Sequence, residues 1–363
     1  MLLSDFLKDQ AHGKDDRNIE HVQYTEDSPF ITFKVGQNSE HIGSNNVRNE
    51  DQEQETNLPI QGKEAYLITI CSHIGSLITV RRLHEIMCDA SAGNYQDFKS
   101  VTHNQLIPNQ KTEKVSHIQL IFTSNSGIAH INSKLLLQSN MSISVQTLLT
   151  YTTQKKLAVF DMDSTLITQE CIDELARIHN VYASISQITK SAMGGSIDFE
   201  ESLRNRVSLL AGLEISKVET VKQNIVFTPG VHECIAYLLA KNVNVLVVSG
   251  GFTIFAEHVA ASLGISPSNV YANVLAVNGT GLTGELVGAV VTPNRKREIL
   301  QSVAKQMNIS TLEILAVGDG ANDLLMLDSA GLAVAFCAKQ IVRTSVCARI
   351  DVNDFSYLNA LLG

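Results

Sequence analysis

Two aspartates separated by one residue are the part of this sequence best suited to chemistry. Asp161 and Asp163 follow residues 157–160, whose sequence LAVF is typical of a buried strand. Residues i and i+2 of an extended segment point to the same side, so both carboxylates can face one cleft. One of them could attack phosphorus while the other protonates the leaving oxygen. A D-x-D triplet is also common in solvated turns, so the rest of the chain must decide between the two interpretations.

Two further elements could bind a phosphate group. Ser249, Gly250 and Gly251 end an apolar strand pattern and begin a helical one, which would place a hydroxyl and backbone N–H groups at a helix N-terminus. An ordinary glycine-rich turn explains that segment equally well when it is taken alone. Lys296, near the beginning of the helical pattern NRKREIL, could neutralise phosphate charge, although a lysine in such a place is more often solvated.

A second acidic group follows the apolar strand pattern EILAVG. Asp319, Asn322 and Asp323 lie in the sequence GDGAND, where a loop leads into a helix. The two carboxylates can face the same cleft as Asp161 and would supply the oxygen ligands that Mg²⁺ requires. The same string could be a turn with an Asp or Asn cap, but its position directly after a strand favours the metal site.

The elements that must position these residues alternate between strands and helices over residues 151–363. Continuous apolar strands bounded by Gly or Asp turns predict an α/β domain with a Rossmann-like, doubly wound parallel sheet. The strand patterns are LAVF at 157–160, NVLVVS at 244–249, EILAVG at 313–318 and LAVAF at 332–336. Helical patterns at about 169–228 predict a cap over the carboxyl ends of the strands, where ligands bind. Alternating patterns around Asn278 and Gly279 predict a β-hairpin.

The first 150 residues divide into two parts. Residues 1–60 are polar and charged, which predicts a loosely ordered arm with a strand at SPFITFKV. Residues 61–150 predict a ferredoxin-like α+β domain in the order strand, helix, two strands, helix, strand. The sequence of neither part contains an evident catalytic group.

Composition limits the classes of function. The chain has 363 residues, of which 44% are hydrophobic, so it can fill more than one core. Its net charge of -9 argues against nucleic acid as a partner, because nucleic-acid binding needs clustered basic residues. No secretion signal and no apolar run of membrane-spanning length is evident, so we expect a cytoplasmic protein with small-molecule partners and no membrane association. The six cysteines lack metal-site or disulfide spacing.

The segments DMDST, SGG, K and GDGAND, in this order, resemble the four motifs of the haloacid dehalogenase-like phosphohydrolases. The resemblance covers nearly all of residues 155–350 and includes the cap segment ITKSAMGGSIDFEESLRNRVSLLAG. It is strongest to members that hydrolyse O-phospho-L-serine, and it implies that reaction here, as the last step of L-serine biosynthesis. The N-terminal region resembles an ACT-type regulatory fold, with Gly75 and Leu77 at the usual strand-to-helix turn. That resemblance would allow L-serine binding there and a homodimeric assembly.

The resemblance also implies a role for each motif residue. Asp161 would be the nucleophile, Asp163 the proton donor to the leaving oxygen and Lys296 the catalytic cation. Mg²⁺ would be held by Asp161, Asp319 and the backbone carbonyl of Asp163. Asp323 would contact the metal ligands rather than the metal, and it would hold Lys296 and the metal-bound water molecules in place.

Substrate choice is expected from the cap and the phosphate-binding turn. The substrate-binding residues implied by the resemblance are Glu170, Met193, Phe199, Arg206, Ser249, Gly250 and Asn322. Glu170 would meet the serine ammonium group, and Arg206 would form a two-pronged ion pair with the serine carboxylate. Without the resemblance, Glu170 would be interpreted as an acid that favours the first turn of a helix, and Arg206 as a charged residue on the surface of a helix. Met193 and Phe199 would be interpreted as core residues.

Two alternatives remain open on the sequence alone. One is a phosphatase or phosphotransferase of the same fold that acts on phosphohomoserine or phosphothreonine. The other is a non-catalytic serine sensor, in which the N-terminal region binds the amino acid and the second domain is a scaffold. The presence of Asp161, Asp163, Lys296 and Asp319 together argues against the sensor, because a scaffold has no need of all four.

Overall fold

The computed structural model describes seven stretches of the chain. These are residues 19–23, 32–35, 64–72, 98–106, 115–124, 141–193 and 197–363. The chain divides into two compact units, Met1–Met141 and Ser142–Gly363. The sequence pattern predicts a division after residue 150 instead, and the segment between contains the strand pattern SISVQTLL. In the described stretches, no helix has both the length and the apolar character needed to cross a bilayer.

Five strands are described in the first unit. They are β1 (Ile19–Gln23), β2 (Thr32–Val35), β3 (Glu64–Ser72), β4 (Phe98–Leu106) and β5 (Val115–Ser124). β1 pairs with β2, and β5 pairs with both β3 and β4, in each case antiparallel. β2 falls within the segment SPFITFKV, whereas β1 was not expected. The two helices predicted for residues 61–150 lie outside the described residues, so the ferredoxin-like fold stays a prediction.

The second unit is built around one seven-stranded sheet. After β6 (Met141–Thr147), its strands are β7 (Leu157–Phe160), β8 (Asn244–Phe252), β9 (Val270–Asn278), β10 (Gly281–Val287), β11 (Ile314–Gly318), β12 (Leu332–Phe336) and β13 (Ala348–Ile350). The order across the sheet is β10-β9-β8-β7-β11-β12-β13. All neighbours are parallel except β9 and β10, which form an antiparallel hairpin at one edge. The predicted doubly wound parallel sheet is therefore confirmed, with β7 at its centre.

Helices cover this sheet and form the predicted insertion. The helices described are α1 (Leu148–Thr152), α2 (Cys171–Ile178), α3 (Tyr182–Met193), α4 (Phe199–Ser208), α5 (Ile215–Gln223), α6 (Val231–Ala240), α7 (Thr253–Ser262), α8 (Pro293–Met307), α9 (Leu324–Leu327), α10 (Gln340–Arg343) and α11 (Ser356–Asn359). Helices α2 to α5 lie between β7 and β8 in the chain and make up the cap. In α2, the buried residues recur at helical spacing, so one face of the helix packs inward.

Backbone hydrogen bonds hold the cap both at its base and at the edge of the sheet. Where the chain enters and leaves the cap, Ile167 and Phe227 form an antiparallel bridge. Between α4 and α5, the Gly212 N–H donates to the Leu282 carbonyl over 2.8 Å, and the Leu282 N–H donates to the Leu213 carbonyl over 2.9 Å. These backbone bonds attach the cap to the β9–β10 hairpin. They place the cap beside the carboxyl ends of β7 and β8.

Packing of α8 against the sheet fixes the position of Lys296. Thr292 caps this helix, because its hydroxyl oxygen accepts a hydrogen bond from the Arg295 N–H. Ile299 and Leu300 lie in the same buried cluster as residues of β7, β8 and β11. Residues three and four apart share a helix face, so Lys296 must face the sheet together with Ile299 and Leu300. Lys296 is accordingly 0% exposed, whereas a lysine is normally solvated.

Candidate active site

The turn after β7 directs two carboxylates to the carboxyl edge of the sheet. The Asp161 N–H donates to the Val317 carbonyl of β11 over 3.0 Å, which continues the sheet pairing up to the first aspartate. The chain then turns sharply, and Ser164 takes a left-handed conformation with φ of 54°. Asp163 Oδ1 accepts a hydrogen bond from the Cys171 N–H, at the beginning of α2, over 2.9 Å. The two aspartates are thus held by different elements.

Lys296 joins two of the predicted acidic residues. Its Nζ lies 2.7 Å from Asp161 Oδ1 and 2.7 Å from Asp323 Oδ1, and all three side chains are buried. Burial lowers the pKa of Lys296, but the charges of Asp161 and Asp323 outweigh that effect and raise the pKa above its ordinary value. Lys296 is therefore a cation at neutral pH. By contrast, its neighbours Arg295 and Arg297 make hydrogen bonds at the exposed side of the helix.

Three buried carboxylates meet at this place. One ligand atom from each of Asp161, Asp319 and Asp323 lies within 4.8 Å of the others. Burial, followed by the charge of Asp323, holds the pKa of Asp161 well above its ordinary value. Burial likewise raises the pKa of Asp319 to about 6, against the opposing charge of Lys339. Carboxylates gathered in this way need a proton or a further cation, so the donor set fits a divalent ion with oxygen ligands.

Asp323 is fixed in a way that differs from the other two members of the cluster. Its Oδ2 accepts a hydrogen bond from the Gly320 N–H over 3.1 Å, while Oδ1 accepts from Lys296. The Lys339 Nζ lies 3.4 Å from Asp319 Oδ2, so its positive charge partly offsets the negative charge of Asp319. The predicted partner Asn322 lies beside Asp323, and its Nδ2 is 3.5 Å from Asp323 Oδ1. Asp323 therefore faces Lys296 and the loop backbone, while Asp319 pairs with Lys339.

The turn at the end of β8 lies beside Asp163. The Gly251 N–H donates to Ser249 Oγ over 2.8 Å, which orients this hydroxyl and leaves its own hydrogen available for an anion. A Cβ atom at Gly251 would collide with Asp163 Oδ2, and one at Gly250 would meet Phe199 Cζ at 3.2 Å. A side chain at position 251 would therefore displace Asp163, whereas one at position 250 would require only a small shift of Phe199. The contact at Gly250 brings Phe199, the first residue of α4, against the phosphate-binding turn.

The environment of Asp163 suits a proton donor. Its side chain is half-buried, and desolvation followed by the negative charge of Glu170 raises the pKa of Asp163 to about 7. The Cys171 N–H opposes this shift because it stabilises the carboxylate. A carboxyl with a pKa near neutrality can both give and take a proton under ordinary conditions.

Two of the predicted substrate-binding residues, Glu170 and Arg206, lie close enough for their charges to interact. Glu170 Oε1 accepts a hydrogen bond from Ser164 Oγ over 2.9 Å. Burial lowers the pKa of Arg206, while the charges of Glu170 and Asp173 raise it. Arg206 Nε donates a long hydrogen bond of 3.3 Å to the Ser202 carbonyl. Met193 ends α3, but its side chain lies outside the described residues, so its predicted role stays a prediction.

Some residues of the site were not predicted. Ser164 orients Glu170, the Cys171 N–H binds Asp163, and Lys339 pairs with Asp319. The serine directly follows the D-x-D triplet, which is a signal for a special turn that could have been noticed. The contacts of Cys171 and Lys339 could not have been predicted, because their spacing from Asp163 and Asp319 matches no sequence pattern. The Cys171 contact also comes from the backbone, which any residue type could supply.

Comparisons with known proteins agree with this arrangement. A family model described as haloacid dehalogenase-like hydrolase matches residues 155–331, and a model of a protein family of unknown function, DUF705, matches residues 86–193. A phosphoserine phosphatase from Methanocaldococcus jannaschii is 45% identical over 201 residues, which are 55% of this chain and 94% of that protein. A probable phosphoserine phosphatase from Schizosaccharomyces pombe is 44% identical over 216 residues, 59% of this chain and 72% of that protein.

The solved structures include one that bears directly on the chemistry. It is described as a phospho-aspartyl intermediate analogue of phosphoserine phosphatase, and it is 43% identical to this chain. The match covers 58% of this chain and 100% of the other, with a TM-score of 0.55. The part of this chain outside the match includes most of the first unit.

Proposed function

The chain belongs to the phosphoserine phosphatase family of haloacid dehalogenase-like hydrolases, and we propose that it hydrolyses O-phospho-L-serine to L-serine and phosphate through a phosphorylated Asp161. The observation that carries this proposal is that the two aspartates have different surroundings, each suited to a different step. Asp161 is paired with a buried ammonium group, and Asp163, two residues further, is a carboxyl with a pKa of about 7. This is what a nucleophile and a proton donor require.

In the first half of the reaction, an Asp161 carboxylate oxygen attacks phosphorus and the bond from phosphorus to the serine oxygen breaks. Asp163 donates its proton to that oxygen, so L-serine leaves as an alcohol rather than an alkoxide. Lys296 favours the carboxylate form of Asp161, against the burial and the nearby acids that raise the pKa of Asp161, and offsets negative charge on the phosphoryl oxygens. Ser249 and the N–H groups of its turn would bind those oxygens from the other side.

In the second half, water attacks the phosphorus of the acyl phosphate. Asp163, now a carboxylate, takes the proton of this water, and the bond between phosphorus and the Asp161 oxygen breaks. Inorganic phosphate and the free carboxylate of Asp161 result, while Asp163 is protonated again for the next turnover. The same group thus acts as acid and then as base, which its pKa near 7 permits.

The family is metal-dependent, and we propose Mg²⁺ as the ion. Asp161, Asp319 and the backbone carbonyl of Asp163 would hold it, with Asp323 supporting the site through Lys296 and the loop. When bound, the ion supplies positive charge that offsets the negative charge of the transferred phosphoryl group. The buried and mutually close carboxylates support this proposal, since their like charges favour a cation.

Recognition of the amino-acid part would come from the cap. Glu170, oriented by Ser164, offers a carboxylate to the substrate ammonium group. Arg206, half-buried and near Glu170, offers a guanidinium to the substrate carboxylate. Phe199, which touches the phosphate-binding turn, would close the pocket over the short serine side chain. Together these groups select a zwitterionic amino acid that carries a phosphate two bonds from its α-carbon.

The test measures kcat/KM of the full-length protein, in the presence of Mg²⁺, for several phosphorylated substrates. We expect the highest kcat/KM for O-phospho-L-serine, with lower values for phosphothreonine and phosphohomoserine. An additional methyl or methylene group is worth about 10- to 200-fold in such a pocket. A preference for phosphohomoserine or phosphothreonine would replace the proposed substrate, while absence of all phosphatase activity would contradict the proposal as a whole.

Three further expectations stay proposals. The cytoplasmic location rests on the sequence patterns, whereas a homodimer and L-serine binding by residues 61–150 rest on the resemblance. A titration of the full-length protein with L-serine, monitored by calorimetry and compared with a variant lacking residues 1–140, would test the third.

A further inference from the structure

A buried asparagine in β9 connects two parts of the site that are far apart in the chain. Asn273 is 2% exposed, and both ends of its amide are used. Its Nδ2 donates to the Gly250 carbonyl over 2.8 Å, and its Oδ1 accepts from the Val291 N–H over 2.8 Å. One side chain therefore joins the phosphate-binding turn to the segment that leads into α8.

The first of these bonds stabilises an irregular piece of backbone. β8 and β9 pair regularly up to Val248 and Tyr271, and the next partners are Phe252 and Asn273. Between these pairs, three residues of β8 (249 to 251) are opposed by one residue of β9 (Ala272), so Ser249, Gly250 and Gly251 bulge out of the ladder. Bulges next to active sites re-aim side chains, but they also remove the partners of backbone groups. The Asn273 amide supplies such a partner to Gly250.

The second bond fixes the beginning of α8. Val291 directly precedes Thr292, which caps the helix, and the Thr292 carbonyl accepts from the Lys296 N–H over 2.9 Å. The position of Val291 therefore sets where the first turn of α8 begins. Lys296, at the end of that turn, reaches Asp161 over 2.7 Å.

We propose that Asn273 is a positioning residue that holds the phosphate-binding turn and the Lys296 helix at a fixed separation around the phosphoryl group. The proposal rests on the proposed function, because it concerns the same site. Asn273 contacts neither of the two catalytic aspartates, so it acts through Gly250 and Val291. Catalysis by prearranged charges depends on such supports, since a displacement of about 1 Å can cost about 100-fold in rate.

The chain offers a matched control for this residue. Asn269 precedes β9, and its Nδ2 donates to Asn244 Oδ1 over 2.7 Å and to the Val245 carbonyl over 3.0 Å. It therefore also makes two hydrogen bonds towards β8, but at the opposite end of that strand from the phosphate-binding turn. Asn273→Ala and Asn269→Ala remove the same amide group from the same pair of strands.

The experiment measures three quantities for the full-length wild type and for Asn273→Ala, Asn273→Asp and Asn269→Ala. They are the thermal midpoint, kcat and KM for O-phospho-L-serine, and the inhibition constant of inorganic phosphate. We expect both Asn273 variants to lose about 10- to 100-fold in kcat/KM and to bind inorganic phosphate more weakly. Asn269→Ala should lower the thermal midpoint to a similar degree and leave both kinetic quantities within about twofold.

Asn273→Asp makes the test specific. It keeps the volume and the acceptor for the Val291 N–H, but its carboxylate cannot donate to the Gly250 carbonyl. Unchanged phosphate inhibition in folded Asn273 variants, or an equal kinetic loss in Asn269→Ala, would overturn the proposal. So would a failure of both Asn273 variants to fold while Asn269→Ala folds, since the residue would then serve folding. If the wild type hydrolyses a different phosphomonoester, the substrate proposal fails, and the phosphate inhibition constants measured with that substrate still decide the role of Asn273.

Discussion

The ammonium group of Lys296 donates a hydrogen bond to Asp161 Oδ1 over 2.7 Å, although the two residues are 135 positions apart in the chain. The contact forms because β7, in the centre of the sheet, ends directly before Asp161, and because α8 packs Ile299 and Leu300 into the core. A nucleophile and a cation are thus brought together by apolar packing. Neither group is exposed, so their charges act on each other with little screening.

Removal of the Lys296 charge should abolish most of the activity. In Lys296→Met, the side chain keeps its approximate length, but Asp161 and Asp323 lose their common partner. We expect kcat/KM to fall by at least about 100-fold and the free energy of unfolding to fall by about 3–5 kcal/mol. Lys305→Met, at an exposed position of the same helix, serves as the control. Steady-state kinetics and urea denaturation measure both effects, and near-normal turnover would contradict the assigned role.

Loss of Arg206 should impair substrate recognition rather than phosphoryl transfer. Arg206→Ala removes the proposed partner of the substrate carboxylate, and a charge-assisted hydrogen bond is worth about 1.5–3 kcal/mol. We therefore expect KM for O-phospho-L-serine to rise by about 10- to 100-fold, while turnover of phenyl phosphate, which has no carboxylate, changes little. Arg204→Ala, which breaks an exposed ion pair with Glu200 on the same helix, should affect neither substrate. Equal losses for both substrates would argue against the carboxylate contact.

Addition of Mg²⁺ should stabilise the fold as well as activate the enzyme. The ion would relieve the repulsion between Asp161 and Asp319, and a ligand at 100 times its Kd stabilises the native state by about 2.7 kcal/mol. We expect the thermal midpoint to rise with the Mg²⁺ concentration and to fall again after chelation. In Asp319→Asn this rise should be much smaller, whereas in Asp328→Asn, at an exposed position, it should match the wild type. A midpoint that is independent of Mg²⁺ would contradict metal binding at this cluster.

Lys155 gives a prediction about pH that is independent of the catalytic site. Its Nζ donates to the Thr150 carbonyl over 2.5 Å and to the Leu312 carbonyl over 2.8 Å, and burial lowers the pKa of Lys155 from 10.5 to about 8 despite Glu313. Between these two values the unfolded chain binds a proton that the native state lacks, so native stability rises with pH across this window. From about pH 8 to pH 10, the free energy of unfolding of the wild type should therefore increase relative to that of Lys155→Met. Denaturation curves at both pH values test this, and a constant difference would show that the lysine keeps its proton.

The parallel sheet was predictable because its strands are short apolar runs bounded on at least one side by glycine or aspartate. β7, β8, β11 and β12 correspond to such runs. β13 was missed because it is a three-residue edge strand with the sequence ARI, which shows no strand pattern. The two compact units divide at residues 141 and 142, and a hydrogen bond between distant segments, from the Val145 N–H to the Cys347 carbonyl over 2.9 Å, lies within the second unit. Pairings between distant segments are not visible in local periodicity.

The candidate site was predictable where its residues lie at the ends of apolar strands. Asp161, Asp163 and Asp319 follow strands that prove to be neighbours, so the common edge of the sheet gathers them. Asn273 could not be found in this way. It lies in an ordinary strand pattern, and its role depends on the bulge in β8 and on a segment that follows the hairpin.

The central claim is that Asp161 becomes covalently phosphorylated. Full-length enzyme with Mg²⁺ would be mixed with O-phospho-L-serine carrying a radioactive phosphoryl group, quenched in acid within milliseconds, and digested for peptide mapping. We predict an acid-stable, alkali-labile label on Asp161, absent from Asp161→Asn and present in the exposed control Asp328→Asn. A label on another residue, or turnover without any labelled protein, would contradict the proposed mechanism.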